Sequence, residues 1–178
     1  MVKKLIAPVL AIVLCATVLL VGYNGLGSLR AKNEAAELQD KMTVLLPGST
    51  SFVEEAYTGE DDNIRAAYKG ETGYVVLTQT RGYADDIVML IGVTSEGKVT
   101  GLQVRRMNET WGLGREAMTN WEFLRQFLNT KGDAQIGENV DALTGATVTS
   151  KAVAHCVNSA VAFVTGSDAD SGATSWGG

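Results

Sequence analysis

Leu5 to Tyr23 is a run of nineteen residues without a charge. As an α-helix it would be about 28 Å long, close to the roughly 30 Å hydrocarbon thickness of a bilayer. This run constrains the fold more than any other stretch, because it splits the chain into a candidate anchor and a body that must fold by itself. Lys3 and Lys4 precede it and are the only charges before Arg30. By the positive-inside rule they keep the short end in the cytoplasm and send the body across. The run is long for the core of a secretion signal, and no small-x-small cleavage site follows it. Leu14 is also too large to precede a processed lipoprotein cysteine at Cys15. The expectation is an uncleaved, single-pass signal anchor over residues 1–24, lying in a lipid bilayer, with a cleaved export signal as the alternative. Pro8 falls near the helix start, where it is tolerated.

The remainder is of a size for one domain, since the whole chain has 178 residues, 46% hydrophobic and 20% charged. With Lys3 and Lys4 set aside, 13 of the 15 basic residues face 20 acidic ones, a net charge of −7. That balance argues against nucleic-acid binding, which calls for a basic face. Cysteine usage is equally restrictive. Cys15 lies in the anchor and Cys156 far along the body, so the two cannot pair, and no Cys-x-x-Cys exists to hold a c-type haem or an iron–sulfur cluster. Any redox cofactor must then be organic. His155 is the only histidine; with no nucleophile and partner beside it, it is expected to be structural or exposed. No metal site and no catalytic residue are expected.

Three segments read as strands: Tyr74 to Gln79, Ile87 to Val93 and Lys98 to Val104, all rich in β-branched residues. Arg81-Gly82-Tyr83 separates the first two, and Ser95-Glu96-Gly97 is a plausible hairpin turn between the second and third. Residues 25–44 form a charge-flecked helical stretch continuing the anchor, broken by Leu46-Pro47-Gly48. Arg115, Met118, Trp121, Phe123, Leu124 and Phe127 suggest one helix after the strands. Val153, Ala154, Val157, Ala160, Val161 and Val164 suggest another. The fold class is therefore α+β, an antiparallel sheet with flanking helices over residues 45–166. Residues 167–178, rich in Gly, Ser and Asp, form a tail expected to be mobile.

Asp141-Ala-Leu-Thr144-Gly145-Ala146-Thr147-Val-Thr149 joins a turn of small residues to the start of the last helix. Small residues let another molecule approach the backbone, and Gly145 opens turn conformations closed to other residues. Thr147 is thereby presented at a helix N-terminus, where unpaired N–H groups and the helix dipole favour an anion such as a phosphate ester. The plainer alternative is that Thr149 or Ser150 is an N-cap and nothing more. The whole nine-residue stretch resembles the Asp-x-x-Ser/Thr-Gly-Ala-Thr-x-Ser/Thr sequence recognised by flavin transferases, which join FMN through its phosphate to the Thr after Ala. A near copy, Asp168 to Trp176 with Ser171-Gly172-Ala173-Thr174, lacks the final Ser/Thr and has no apolar helix after it. The resemblance therefore points to Thr147, not Thr174, as the acceptor.

A second element, Asn108-Glu109-Thr110-Trp111-Gly112-Leu113-Gly114, lies upstream. It lacks the third glycine of a dinucleotide fingerprint, since position 117 is Ala. It resembles the Glu-Thr-x-Gly-Leu-Gly element of the same FMN-binding domain. The departures from the common pattern are Trp111, where Pro is frequent, and Met107, where His is frequent.

Taken in order, the anchor, Leu45-Leu46-Pro47-Gly48, Arg81-Gly82-Tyr83, Glu109 to Gly114 and Asp141 to Thr149 resemble the G subunits of Rnf membrane electron-transport complexes. The C subunits of sodium-pumping NADH:quinone reductases share the domain but are usually longer, and are the alternative. The Rnf resemblance implies an electron-relay subunit of an ion-translocating ferredoxin:NAD oxidoreductase, non-catalytic by itself. It would have an extracytoplasmic FMN-binding domain, FMN as a phosphoester on Thr147, the A, B, C, D and E subunits of Rnf as partners, and a flavin transferase for maturation. The same resemblance makes Asp141, Thr144, Gly145, Ala146, Thr149, Glu109, Thr110, Gly112, Leu113 and Gly114 candidate cofactor-binding residues. Trp111 and Trp121 could stack on the flavin, although core packing is the ordinary fate of such side chains. A third class stays open, a membrane-anchored interaction module with Thr147 unmodified.

Overall fold

The computed structural model describes the backbone of residues 2–167 and their side chains other than those of 2–12, 18, 21–26 and 28. The chain forms two compact units, divided between Asp40 and Lys41. A single helix, α1 (Val2–Leu45), runs through the first unit and ends in the second. Along it Arg30 and Glu34, one turn apart, pair at 2.8 Å. The exposed position of that pair makes it a minor contributor. Among the described residues no helix is long and apolar enough to cross a membrane. The anchor expected over Leu5 to Tyr23 falls largely on positions whose side chains lie outside the description.

The second unit is a meander of five antiparallel strands in sequence order. They are β1 (Val53–Glu55), β2 (Ile64–Lys69), β3 (Gly73–Arg81), β4 (Asp86–Thr94) and β5 (Val99–Arg106). The three expected strands are β3 to β5, each a residue or two different at its ends. β1 and β2 were not expected. β1 is only three exposed residues, and in β2 Ile64 is the sole β-branched residue, so neither carries a propensity signal. The hairpin turn forms at Ser95-Glu96-Gly97: Thr94 N–H donates to the Lys98 carbonyl at 2.9 Å, and Gly97 takes φ +79°.

The central strands are buried on both faces, which is why Ile87 to Val93 reads as a continuous apolar run. Ile87, Met89, Ile91 and Val93 point to one face with Val76 of β3 and share the main core with the last helix, α3 (Thr147–Thr165). From that helix come Val153, Cys156, Val157, Ala160 and Val161. Each large apolar side chain among these, fully buried, contributes roughly 1.5–3 kcal/mol. On the opposite face the end of α1 closes the sheet. Gly92 and Gly101 are cross-strand partners, and a Cβ on either would meet the Leu45 backbone. The Leu45 carbonyl, left unpaired by the helix end, accepts from the Thr100 hydroxyl at 2.6 Å.

Between β5 and α3 the expected helix over Arg115 to Phe127 is not continuous. It breaks into a 3₁₀ turn (Gly114–Met118), a four-residue helix α2 (Trp121–Leu124) and a second 3₁₀ turn (Arg125–Phe127). Asn120 causes the break: its backbone is extended and its side chain caps α2, accepting from Phe123 N–H at 3.0 Å. Phe123 and Phe127 of this segment turn inward, edge to face at 5.2 Å between ring centres.

Candidate functional site

The start of α3 is built by hydrogen bonds local to the Asp141 to Ser150 stretch. The Ser150 hydroxyl donates to the Ala146 carbonyl at 2.9 Å and accepts from Leu143 N–H at 3.0 Å, while Ala146 N–H donates to the Leu143 carbonyl at 3.0 Å. These bonds hold Thr144-Gly145 as a turn, with Gly145 at φ +72°. Ala146 occupies the N-cap position and supplies no capping side chain. Thr149 and Ser150, expected as candidate caps, lie inside the helix and are buried instead. Thr147 is the first helical residue and is exposed. An uncapped helix N-terminus thus carries an accessible hydroxyl at its first position.

Beside it opens a cavity of about 470 Å³ lined by Tyr83, Glu109, Thr110, Leu113, Gly114 and the run from Gly145 to Thr149. Three separate loops meet here: the β3–β4 connection, the turn after β5, and the approach to α3. Glu109 ties them together. Its Oε2 accepts from the Thr149 hydroxyl at 2.9 Å, and its Oε1 accepts from the backbone N–H of Ala84 at 3.1 Å and, more weakly, of Asp85 at 3.4 Å. At 5% exposure it is one of the few buried polar side chains. Gly114 is required where it stands, since a Cβ there would press on the Thr149 hydroxyl and the Glu109 carboxylate. The turn itself is closed by the Thr110 carbonyl, which accepts from Leu113 N–H at 3.3 Å and Arg115 N–H at 3.2 Å.

Eight of the eleven residues singled out in the sequence line this cavity: Glu109, Thr110, Leu113, Gly114, Gly145, Ala146, Thr147 and Thr149. Three do not. Gly112 borders a neighbouring groove with Trp111, Arg115 and Met118. Asp141 is exposed in another depression, where its N–H donates to the Gln126 side chain at 2.8 Å. Thr144 is exposed on the turn. Tyr83 and Val148 line the cavity and were not singled out as site residues; the signal for Tyr83 was its place in Arg81-Gly82-Tyr83, which separates two strands. Core packing does not hold for the tryptophans, since Trp111 is 80% and Trp121 65% exposed. The Arg115 guanidinium lies over the Trp111 ring, 5.2 Å from its centre.

His155 sits away from the cavity. Its Nε2 is 2.9 Å from the Asn63 amide nitrogen. Burial pushes its pKa down, with Asp61 opposing. Cys156 is fully buried, and burial pushes its thiol up to about 12. Among the described residues no group of His, Cys, Asp and Glu could hold a metal ion. The near copy around Thr174 lies outside the described residues.

A family model described as an FMN-binding domain matches residues 82–162, and every residue lining the cavity falls within that span. The chain is 36% identical over 143 residues to the G subunit of the proton-translocating ferredoxin:NAD(+) oxidoreductase complex of Clostridium ljungdahlii, covering 76% of each chain. The chain belongs to the family of G subunits of ion-translocating oxidoreductase complexes. Similarity extends to the G subunit of the ion-translocating oxidoreductase complex of Methanosarcina acetivorans, 35% identical over 147 residues, 74% of this chain and 77% of that one. The G subunit of the sodium-translocating ferredoxin:NAD(+) oxidoreductase complex of Acetobacterium woodii is 34% identical over 115 residues, 60% of this chain and 53% of that one. The FMN-binding domain match is thus the part of this chain that contains the cavity.

Proposed function

We propose that this protein is the electron-relay subunit of an Rnf-type ion-translocating ferredoxin:NAD oxidoreductase, carrying FMN joined through its phosphate to the Thr147 hydroxyl. The observation that carries this reading is the coincidence of an exposed hydroxyl, an uncapped helix N-terminus and an adjoining cavity at one point. A cavity of about 470 Å³ lies within the range of about 300–1,000 Å³ usual for small-molecule sites. A phosphate ester on Thr147 would face the first N–H groups of a 19-residue helix, which favour an anion. In the cavity wall Gly114 admits the contact between Glu109 and Thr149, and Gly145 admits the Leu113 side chain. When bound, a flavin supplies one- and two-electron redox chemistry, and the protein supplies position and electrostatics. Tyr83 and Leu113 wall the cavity, the Thr110 side offers polar groups, and Glu109 fixes the loops that form it.

Attachment makes residence of the cofactor independent of dissociation, which matters on the outer side of a membrane. In this reading residues 1–24 are a transmembrane anchor with the N-terminus in the cytoplasm, and the partners are the other Rnf subunits. Asp141 and Thr144, exposed and outside the cavity wall, are available to the flavin transferase that matures the protein. The test is expression with a flavin transferase, denaturation and a gel viewed for flavin fluorescence. A fluorescent band that Thr147→Ala abolishes and Thr174→Ala retains is expected. A dark band whose intact mass is that of the bare chain would overturn the reading.

A further inference from the structure

Glu109 does more than complete a turn. A buried carboxylate must find donors or suffer a large desolvation penalty, and here three converge on it, from the Ala84 and Asp85 backbone and from the Thr149 hydroxyl. All three are directed at its two oxygens and hold the carboxyl group in one orientation. Two glycines are placed to admit it. A Cβ on Gly82 would press on Oε1, and one on Gly114 would stand 3.1 Å from Oε2. The Thr149 side chain, last residue of the attachment motif, is buried on Glu109 and thus serves the carboxylate instead of solvent or a helix cap. The result is a carboxyl group held in one place in the cavity wall.

We propose that Glu109 is a positioning residue that also sets the reduction potential of the cofactor, its clasped carboxylate making the reduced, more negative flavin harder to form. This rests on the reading above that the cavity holds FMN on Thr147. A flavin taking up two electrons and one proton gains one negative charge, and a fixed like charge nearby opposes that gain just as it opposes ionisation of a neighbouring acid. The neighbouring donors soften the charge without removing it. Removing the charge while keeping the shape therefore favours reduction, and removing donors while keeping the charge disfavours it.

The experiment uses the full-length, flavin-loaded protein in detergent, reduced stepwise with dithionite, the electron donor, in the presence of mediator dyes. The absorbance of the flavin reads the ratio of reduced to oxidised forms at each potential. Glu109→Gln is expected to raise that ratio at fixed potential about tenfold, about 30 mV upward for a two-electron couple. Gly82→Ala lies outside the attachment motif and keeps the acid; its Cβ would press on Oε1 and on the Asp85 carbonyl, loosening the bonds that Ala84 and Asp85 N–H give to Oε1. It is expected to lower the ratio threefold or more. Thermal melting is followed alongside, because a purely structural clasp would lower the melting temperature of both variants and leave both ratios within twofold of the parent. That outcome overturns the proposal. If Glu109→Gln carries no flavin, the direction of the Gly82→Ala shift decides alone, an unchanged or raised ratio overturning it. A parent protein with a dark band after denaturation removes the FMN reading itself, which is a different result from a loaded protein whose potential does not respond.

Discussion

At Gly145 a single atom decides the shape of the site. The residue takes φ +72°, and a Cβ there would meet the Leu113 side chain at 2.9 Å. Gly145→Ala is expected to cost about 1–2 kcal/mol in urea unfolding, from the left-handed backbone alone, and to crowd the cavity from the α3 side. His155 gives a second, pH-resolved expectation. Burial lowers its pKa in the fold relative to the unfolded chain, so the unfolded state binds the proton more readily as pH falls. Its contribution is fully present above the unfolded value of about 6.5 and is lost as pH drops through the lower folded value. The melting temperature should therefore fall on acidification from pH 7 toward 5, and His155→Gln should flatten that part of the profile; an unchanged slope would contradict the assignment. The Cys156 thiol, pushed up to about 12 and fully buried, should resist a thiol reagent in the native protein and react after denaturation. At this scale the sequence was a good guide where chemistry is local. The hydroxyl at Thr147 and the turn at Gly145 follow from adjacent residues. The clasp on Glu109 joins residues 40 positions apart, and nothing in the spacing of Glu109 and Thr149 announces it.

Elements were legible in proportion to the strength of their own signal. β3, β4 and β5 carry dense β-branched runs, and α3 carries an apolar stripe at helical spacing. β2 has Arg65-Ala66-Ala67-Tyr68 at its centre and is a strand because β3 pairs with it, which no local propensity reports. The segment after β5 misled in the opposite way. Its apolar residues suggest one helix, but Asn120 interrupts it; Trp121 faces solvent while Phe123 and Phe127 face the core. Phe127 is fully buried and anchors this segment in the core. Phe127→Ala is expected to destabilise the second unit by about 3–5 kcal/mol, read by chemical denaturation. Trp121→Ala, at an exposed position, should cost well under about 1 kcal/mol. Equal losses for the two would contradict the burial of Phe127 and the exposure of Trp121.

Over the whole molecule, the sequence divides into a long helix and a five-stranded domain whose cavity lies inside the segment matched to FMN-binding domains. Both faces of the sheet are used up in packing, one by α3 and the other by the end of α1. The loops at the entrance to α3 are left to build the site, the usual division of labour between scaffold and function. Eight of the ten residues lining the cavity were singled out from the sequence; Tyr83, which reaches it through the β3–β4 connection, and Val148 were not. What is attached to Thr147 is read most directly by mass. Protein produced with a flavin transferase, digested and analysed by peptide mass spectrometry, should yield the peptide bearing Thr147 heavier by FMN less one water, with fragmentation placing the added mass on that residue. The same peptide recovered only at its unmodified mass, or the added mass found on Thr174, would contradict the account.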